Sequence, residues 1–103
     1  MHDFEVFTAA SGSQALSVLS EIAPLDLILL DMRMEDMSGP EFLVRLEQTR
    51  SDIIESVPVV FLTAMKEVPA SKAVGFIRKP FEMDEFLAAV HGFIEAGAHR
   101  RNP

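Results

Sequence analysis

The sequence predicts an α/β fold with a doubly wound parallel sheet, and two features of the chain support this prediction. Stretches typical of strands alternate with segments whose apolar residues recur at helical spacing. Three of the strand-like stretches are almost wholly apolar, as expected for strands that helices cover on both faces. Sheets of this kind carry their sites at the carboxyl ends of the strands, so the residues that follow each strand are the first candidates for chemistry.

The first strand and the first helix are predicted from an alternating segment and the capping pattern that follows it. Residues 4–9 place their side chains on two faces with period two, which predicts a strand. Ser11 and Gln14 stand at the spacing of a capping box, in which the serine caps a helix and the glutamine reaches back. We therefore expect a helix that begins after Ser11 and is closed by Pro24.

The second strand is predicted from residues 25–30, a nearly continuous apolar run that ends at Asp31. Such a run is typical of a strand that is buried on both faces. Ser38 and Glu41 form a second capping box, with Pro40 in the first turn, where its missing N–H does little harm. A second helix is therefore expected to follow Ser38.

Two further strands and a short connection are predicted in the second half of the chain. The apolar residues 57–62 predict a strand that ends at Thr63, and residues 74–78 predict one that ends at Lys79. The connection at residues 65–73 is short and contains a proline, so at most a turn or two of helix fits there.

The last helix has the clearest pattern in the chain, and Gly97 is predicted to mark its end. One face is formed by apolar residues at helical spacing, namely Phe86, Leu87, Val90, Phe93 and Ile94. The chain shows no internal repeat and no linker-like stretch, so residues 1–103 are interpreted as a single domain.

Composition and charge argue against several classes of function. The chain has 103 residues, 49% of them apolar, and no cysteine, which predicts one globular core without disulfides or cysteine-bound zinc. A net charge of −7 argues against direct binding of nucleic acid, because phosphate binding needs clustered lysine and arginine. The one basic cluster, residues 99–101, is interpreted as a helix end or the start of a linker. Without a membrane-length apolar run or a visible signal peptide, we expect a soluble cytoplasmic protein.

Three polar residues follow the three apolar strands, and together they predict a site that handles phosphoryl groups. Taken singly, Asp31, Thr63 and Lys79 have ordinary interpretations as a loop carboxylate, a strand-forming residue and a surface charge. Because the carboxyl ends of parallel strands meet at one edge of a sheet, we expect the three side chains to converge. A carboxylate can attack phosphorus to form an aspartyl phosphate, while an ammonium and a hydroxyl can hold the phosphoryl oxygens.

The segments around these residues resemble the receiver domains of bacterial two-component response regulators. Residues 27–39 resemble the phospho-acceptor strand and its loop, residues 59–64 resemble the next strand, and residues 75–81 resemble the final strand with its Lys-Pro turn. The segments follow the order of that family, and the resemblance covers nearly the whole chain. It implies a flavodoxin-like fold and a signalling domain that is switched by phosphorylation and is not an enzyme.

The resemblance implies roles for the residues at matching positions. Asp31 would accept a phosphoryl group from a sensor histidine kinase or a phosphotransfer protein, and Lys79 would pair with the acceptor or with the phosphoryl group. Thr63 and Phe76 would form a switch, in which the threonine moves to a phosphoryl oxygen and the aromatic ring turns inward. Ala64 would leave room for the phosphate. The switched surface would engage a downstream output protein or output domain.

The resemblance also implies a Mg²⁺ site, which this chain matches only in part. Asp31 and the main-chain carbonyl of Arg33 would face the ion, and the bond between Lys79 and Pro80 is expected to be cis. Receiver domains begin with a strand and an acidic pair that holds the ion, whereas this chain opens at the segment that matches their second strand. We therefore interpret the chain as N-terminally truncated, so that the first strand, the acidic pair and the first helix of the family are missing from it. Without the acidic pair, we expect Mg²⁺ to be bound weakly or not at all.

The missing strand has structural consequences that the sequence leaves open. The segment 4–9 would pair directly with the next strand, or pair with a neighbouring molecule, or the chain is a piece of a longer product. An unpaired sheet edge favours association, so we expect a homo-oligomer that forms through this edge. The short connection at residues 65–73 predicts a shortened fourth helix, which alters the usual output surface of the family.

Two other functions compete with the leading hypothesis. A degenerate receiver that acts as a phosphorylation-independent interaction module is favoured by the missing acidic pair. An aspartate-dependent phosphatase of the haloacid-dehalogenase type would carry a second aspartate two residues after the nucleophile, where this chain has Arg33. The arginine argues against the phosphatase, whereas the intact set of Asp31, Thr63 and Lys79 favours the phosphorylated receiver for the parent protein of this chain.

Overall fold

The computed structural model describes residues 4–22, 25–66 and 71–101, with side chains to residue 97. Its elements are α1 (Gly12–Leu19), β1 (Ile28–Asp31), α2 (Gly39–Thr49), α3 (Ser51–Ser56), β2 (Val59–Thr63), β3 (Gly75–Arg78) and α4 (Met83–Arg101). In the described chain, the strands form one parallel sheet in the order β1-β2-β3. This architecture confirms the predicted parallel α/β fold.

Helices cover both faces of the sheet, as the doubly wound prediction requires. The larger core lies under α1, α2 and α3, and its buried members are Leu19, Leu30, Met37, Phe42, Leu43, Leu46, Ile53, Val57, Val59 and Phe61. The smaller core lies under α4 and contains Val60, Ile77 and Val90 as buried members. A fully buried side chain of this size contributes about 1.5–3 kcal/mol relative to an exposed one, so the larger core supplies most of the stability.

Both predicted helix starts are confirmed by their caps. The Ser11 hydroxyl accepts the Gln14 amide at 3.1 Å, and the Gln14 side chain reaches back to the Ala10 amide at 2.7 Å. At α2, Ser38 and Glu41 form the complete capping box, with proline in the first turn. The short helix α3 was not predicted, because its six residues are too few to show a helical period.

The prediction of a strand at residues 4–9 is wrong. The structure assigns no strand to this segment, and Phe4, Val6 and Phe7 are 39%, 73% and 48% exposed. An alternating pattern forms a strand only beside a hydrogen-bonding neighbour. The segment does not pair with β1, whose described strand partner is β2 alone.

The prediction that the last helix ends at Gly97 is also wrong, because α4 continues to Arg101. Gly97 is buried, and a Cβ atom built on it would lie 2.9 Å from the ring of Pro58. The absence of a side chain therefore serves the close approach of α4 to Pro58, and does not end the helix.

The connection between β2 and β3 forms no helix over its described residues, 64–66 and 71–74, in line with the predicted shortening. Several features noted in the sequence lie outside the described parts, namely Pro24, Pro69 and the side chains of residues 99–101. Among the described helices, none is both long and apolar enough to span a membrane.

Candidate functional site

The three residues predicted to form the site lie at the same edge of the sheet. Asp31 and Thr63 are the last residues of β1 and β2, and Lys79 follows the last residue of β3. The register pairs Asp31 with Leu62 and Thr63 with Arg78, so the strand ends are level to within about one residue. The parallel topology thus brings together positions that are up to 48 residues apart in the chain.

Asp31 and Lys79 are in direct contact. The Lys79 ammonium donates to Oδ1 of Asp31 at 2.8 Å, and the two side chains remain 45% and 52% exposed, respectively. An exposed ion pair of this kind stabilises a fold by only about 0–1 kcal/mol. The carboxylate is therefore oriented by one donor and open to a reagent from solvent.

Thr63 is buried beside this pair, and its hydroxyl is bonded within its own loop. Its side-chain oxygen accepts the Met65 amide at 3.0 Å, while its main-chain carbonyl accepts the Lys79 amide at 2.7 Å. The bond between Lys79 and Pro80 is cis, as predicted. The structure thus joins Thr63 to Lys79 through the backbone, and directs the Thr63 hydroxyl to the loop after β2 instead of to the Asp31 carboxylate.

The loop that follows Asp31 is folded back as a small hairpin. The Gly39 amide donates to the Met32 carbonyl at 2.7 Å, and Arg33 and Ser38 form an antiparallel bridge above it. A Cβ atom at Gly39 would collide with the carbonyl oxygen of Asp31. Glycine is therefore required where α2 begins directly against the backbone of the acceptor residue.

Asp36, at the tip of this hairpin, is a structural residue that the sequence analysis missed. Its carboxylate accepts the Gly12 amide at 2.8 Å, the Ser13 amide at 3.0 Å and the Ser13 hydroxyl at 2.7 Å. The Ser13 hydroxyl, followed by the two amides, lowers the pKa of Asp36 to about 2. The hairpin is thereby fastened to the first turn of α1.

The signal for this contact in the sequence is weak. The first amides of any helix need acceptors, and an aspartate is a good one. Nothing in the sequence says which of the 16 acidic residues supplies that acceptor for α1. The distance of 23 residues between Ser13 and Asp36 is set by the fold and not by a local pattern.

Phe76 and Arg78 lie on one face of β3, near the other residues of the edge. Phe76 is 42% exposed, and the Arg78 guanidinium carbon lies 5.4 Å from the centre of its ring. Arg78 also donates to the Lys66 carbonyl at 2.9 Å. Ala64 is exposed at the start of the connecting loop, and the Arg33 side chain is exposed on the hairpin.

The donors at this edge do not by themselves make a strong Mg²⁺ site. Asp31 offers one carboxylate, already paired with Lys79, and Arg33 offers a main-chain carbonyl. In the part of the chain that the structure describes, no group of three acidic or histidine side chains is placed to hold a metal ion. Mg²⁺ prefers an octahedral shell of oxygens, which these two donors would leave largely to water.

The fold and the edge of the sheet define the class of protein. Helices on both faces of a parallel sheet, with polar residues gathered at the carboxyl ends of its strands, are features of the flavodoxin-like α/β class. Within this class, the sequence model described as the response regulator receiver domain matches residues 1–91. The chain therefore belongs to the response regulator receiver domain family.

Individual proteins show the same relationship. Sporulation initiation phosphotransferase F of Bacillus subtilis is 36% identical over 97 residues, which cover 88% of this chain and 74% of that protein. Transcriptional regulatory protein CrdR of Helicobacter pylori is 32% identical, over 87% of this chain but 43% of that protein. The structure of chemotaxis response regulator CheY4 of Vibrio cholerae has a TM-score of 0.75 and 28% identity, over 87% of this chain and 78% of the other.

Membership of this family establishes the general function. The chain is a phosphorelay receiver domain of the two-component type, and the similarity does not favour a phosphorylation-independent interaction module. Receiver domains are signalling domains and not enzymes, and they generally bind Mg²⁺ at the site of phosphorylation. The family interacts with histidine kinases or phosphotransfer proteins and with output domains.

Proposed function

We propose that Asp31 is the phosphoryl acceptor of this receiver domain, and that its phosphorylation switches a protein-interaction surface through Thr63 and Phe76. The observation that supports this most directly is the half-exposed Asp31 carboxylate, held 2.8 Å from the Lys79 ammonium. A carboxylate oxygen of Asp31 attacks phosphorus of a phosphohistidine donor, so that a P–O bond forms while the P–N bond breaks. The histidine leaves, and the aspartyl phosphate remains on this chain.

Lys79 and Thr63 then hold the phosphoryl group. The Lys79 ammonium is close enough to Asp31 to donate to an oxygen of the phosphoryl group attached there. The phosphoryl group carries more negative charge than the free carboxylate, so it is the better acceptor for this ammonium. The Thr63 hydroxyl, which accepts the Met65 amide before phosphorylation, turns to donate to another phosphoryl oxygen. The conformation in which both donors reach the phosphate is thereby favoured, and Phe76 turns inward in that conformation.

The acceptor is tested by incubating the chain with Mg²⁺ and acetyl phosphate and measuring its intact mass. The expected result is the addition of one phosphoryl group to the parent chain and to the Asp52→Asn variant, and no addition to Asp31→Asn. Asp52 is a matched control because it is also exposed and paired with a cation, Arg50, but lies on α3. An unmodified parent chain, or a phosphorylated Asp31→Asn variant, would contradict the assignment.

Lys79 is tested in the same assay against Lys72, another exposed lysine in an ion pair, which contacts Glu47 at 3.5 Å. Removal of one hydrogen-bond donor that stabilises the charge of a transition state costs about 10²–10³-fold in rate. Lys79→Ala is therefore expected to take up phosphate at least about a hundredfold more slowly, whereas Lys72→Ala keeps the parent rate. Equal rates for the two variants would remove Lys79 from the mechanism.

We also propose self-association through the outer edge of β1. In the described sheet β1 pairs only with β2, and residues 4–9, which alternate in polarity, form no strand, so each chain carries both an unpaired edge and an unpaired segment. A second copy satisfies both by reciprocal pairing. Sedimentation velocity over a range of concentrations is expected to show a dimer, and Leu29→Lys is expected to weaken it. A monomer at every concentration would overturn this proposal.

A further inference from the structure

Arg78 contacts two parts of the site that the proposed mechanism treats separately. Its guanidinium lies over the ring of Phe76, 5.4 Å from the ring centre, and its Nη2 donates to the Lys66 carbonyl at 2.9 Å. Phe76 and Arg78 stand two residues apart on one strand, so their side chains share a face. One side chain therefore bridges the exposed aromatic ring and the loop after β2.

The same stretch of this loop is also bonded to Thr63. The Met65 amide donates to the Thr63 hydroxyl at 3.0 Å, one residue before the carbonyl that Arg78 holds. Thr63 and Arg78 are also partners in the register of β2 and β3. A continuous set of contacts thus runs from the Thr63 hydroxyl through Met65 and Lys66 to Arg78, and from Arg78 to Phe76.

We propose that Arg78 is a positioning residue that holds Phe76 in its exposed orientation for as long as the Thr63 hydroxyl is bonded to its own loop. This inference rests on the proposed function, and it names the residue that couples the two halves of the switch. When the Thr63 hydroxyl turns to a phosphoryl oxygen, it gives up the Met65 amide, and the loop is free to shift. The Lys66 carbonyl then leaves Arg78, and the guanidinium no longer covers the Phe76 ring.

The chemistry of arginine suits this role better than that of lysine. A guanidinium has a flat face that stacks on an aromatic ring and donors at its edge that bond a carbonyl at the same time. A lysine ammonium is a compact charge that makes one such contact well. Arg78→Lys therefore keeps the charge at this position but is expected to lose the simultaneous contact with Phe76 and Lys66.

Coupling of this kind is reciprocal, so it is measurable without any phosphate. Removal of Arg78 is expected to change the surroundings of the Phe76 ring and also to loosen the bond between the Met65 amide and Thr63. The full chain, labelled for NMR, gives both readouts as the ring signal of Phe76 and the hydrogen-exchange rate of the Met65 amide. The set of proteins is the parent, Arg78→Ala, Arg78→Lys and the control Arg45→Ala, which removes an exposed arginine of α2.

In Arg78→Ala, the Phe76 signal is expected to shift and the Met65 amide to exchange roughly fivefold faster, the effect of one lost hydrogen bond on a local opening. Arg78→Lys is expected to show the same ring shift, and Arg45→Ala neither change. Parent values at both Phe76 and Met65 in Arg78→Ala would overturn the proposal. A shift at Phe76 without faster exchange at Met65 would overturn it too, because the arginine would then only pack on the ring.

These measurements separate the two proposals. They use the unphosphorylated chain, so they succeed or fail whatever happens at Asp31. Acetyl phosphate and Mg²⁺ are added to the parent afterwards. A parent chain that takes up phosphate and moves its Phe76 signal in the direction seen for Arg78→Ala supports both proposals. Phosphate uptake with the ring signal moving in the opposite direction would leave Asp31 as the acceptor and reject Arg78 as the link.

Discussion

On the face of the sheet covered by α1, α2 and α3, the side chains of Phe42, Leu46 and Phe61 are at most 1% exposed, and exposure begins only at β3, where Phe76, the register partner of Phe61, is 42% exposed. On the face covered by α4, the exposed strand is β1. Val60 of β2 is fully buried, whereas Leu29, its partner in the register of β1, is 38% exposed on the same face. Two neighbouring side chains on one face of the sheet thus differ in exposure as a core residue differs from a surface residue.

The geometry of helices and sheets explains this difference. A helix with its side chains is about 10–12 Å wide, and neighbouring strands lie about 4.8 Å apart, so one helix covers about two strands. α4 packs over Val60 and Ile77, which belong to β2 and β3, and leaves β1 open. Asp31 lies on this partly covered strand, but the loop that follows it is held from the opposite face, that of the larger core, through Gly39 and Asp36.

Leucine-to-alanine substitutions on the two faces test this contrast most strongly. Leu46→Ala is expected to lower the free energy of unfolding by about 2–5 kcal/mol, because it leaves a cavity in the larger core. Leu29→Ala removes the same atoms from a side chain that is 38% exposed, and is expected to cost less than about 1.5 kcal/mol. Urea denaturation measures both, and equal losses would show that the α4 face is as well packed as the other.

Gly39→Ala tests how the larger core positions the acceptor. The new methyl group meets the Asp31 carbonyl, with the Phe61 ring at 3.0 Å and the Met32 Cα atom at 3.1 Å, so two of its three contacts are with backbone that must shift to make room. We expect a loss of about 1–3 kcal/mol in stability. The uptake of phosphate from acetyl phosphate should slow as well, because Asp31 is displaced. Parent-like stability and uptake would show that the close approach of α2 to Asp31 is not required.

Two glycines of α4 provide the matching test on the other face. Gly92 has nothing within 4 Å of a built Cβ atom, so Gly92→Ala is expected to stabilise the helix by about 0.5–1 kcal/mol. Substitution of Gly97 by alanine gives the same gain in helix propensity, but it places a methyl group 2.9 Å from the ring of Pro58. Gly97→Ala is therefore expected to be at least about 1 kcal/mol less stable than Gly92→Ala in urea denaturation. Equal stabilities would mean that α4 shifts freely on the sheet.

The sequence predicted those elements that depend on a local pattern and mispredicted those that depend on a distant neighbour. The strands that end at Asp31 and Thr63 were predictable because both of their faces are apolar, and the starts of α1 and α2 because their caps are local. The segment 4–9 was mispredicted because a strand depends on a neighbour that a local pattern does not reveal. Gly97 was mispredicted because helix ends and close helix contacts both select glycine.

The site divides in a similar way. Asp31 and Lys79 were predictable as a pair, because Asp31 ends one apolar strand and Lys79 follows another. A parallel sheet brings the carboxyl ends of its strands to one edge, and the two side chains meet there. The contacts of Asp36 with Ser13 and of Arg78 with the Lys66 carbonyl were not, because each joins an exposed side chain to a partner on another element, 23 and 12 residues away in the chain. No periodicity in the sequence marks these contacts, and Asp36 and Arg78 each have the pattern of an ordinary solvent-exposed charge.

The smallest effect is expected where the loop of the site is fastened to α1. The pKa of Asp36 is lowered from 3.8 to about 2, first by the Ser13 hydroxyl and then by the Gly12 and Ser13 amides. A lowered pKa in the folded state means that the folded state favours the carboxylate. This contribution to stability is complete above about pH 4 and is lost as the pH falls towards 2.

Asp36→Asn removes that charge, and its amide nitrogen cannot accept the hydrogen bonds that one carboxylate oxygen received. The parent is therefore expected to be more stable than Asp36→Asn by a constant amount between pH 5 and 7, and by a shrinking amount below pH 4. Ser13→Ala serves as the comparison, because it removes the hydroxyl donor while both amides keep their acceptor. Urea denaturation at several pH values measures the difference. If it stayed constant from pH 7 to 3, the charge of Asp36 would not be what holds the site loop against α1, and packing of Met37 on Gly12 would remain as the cause.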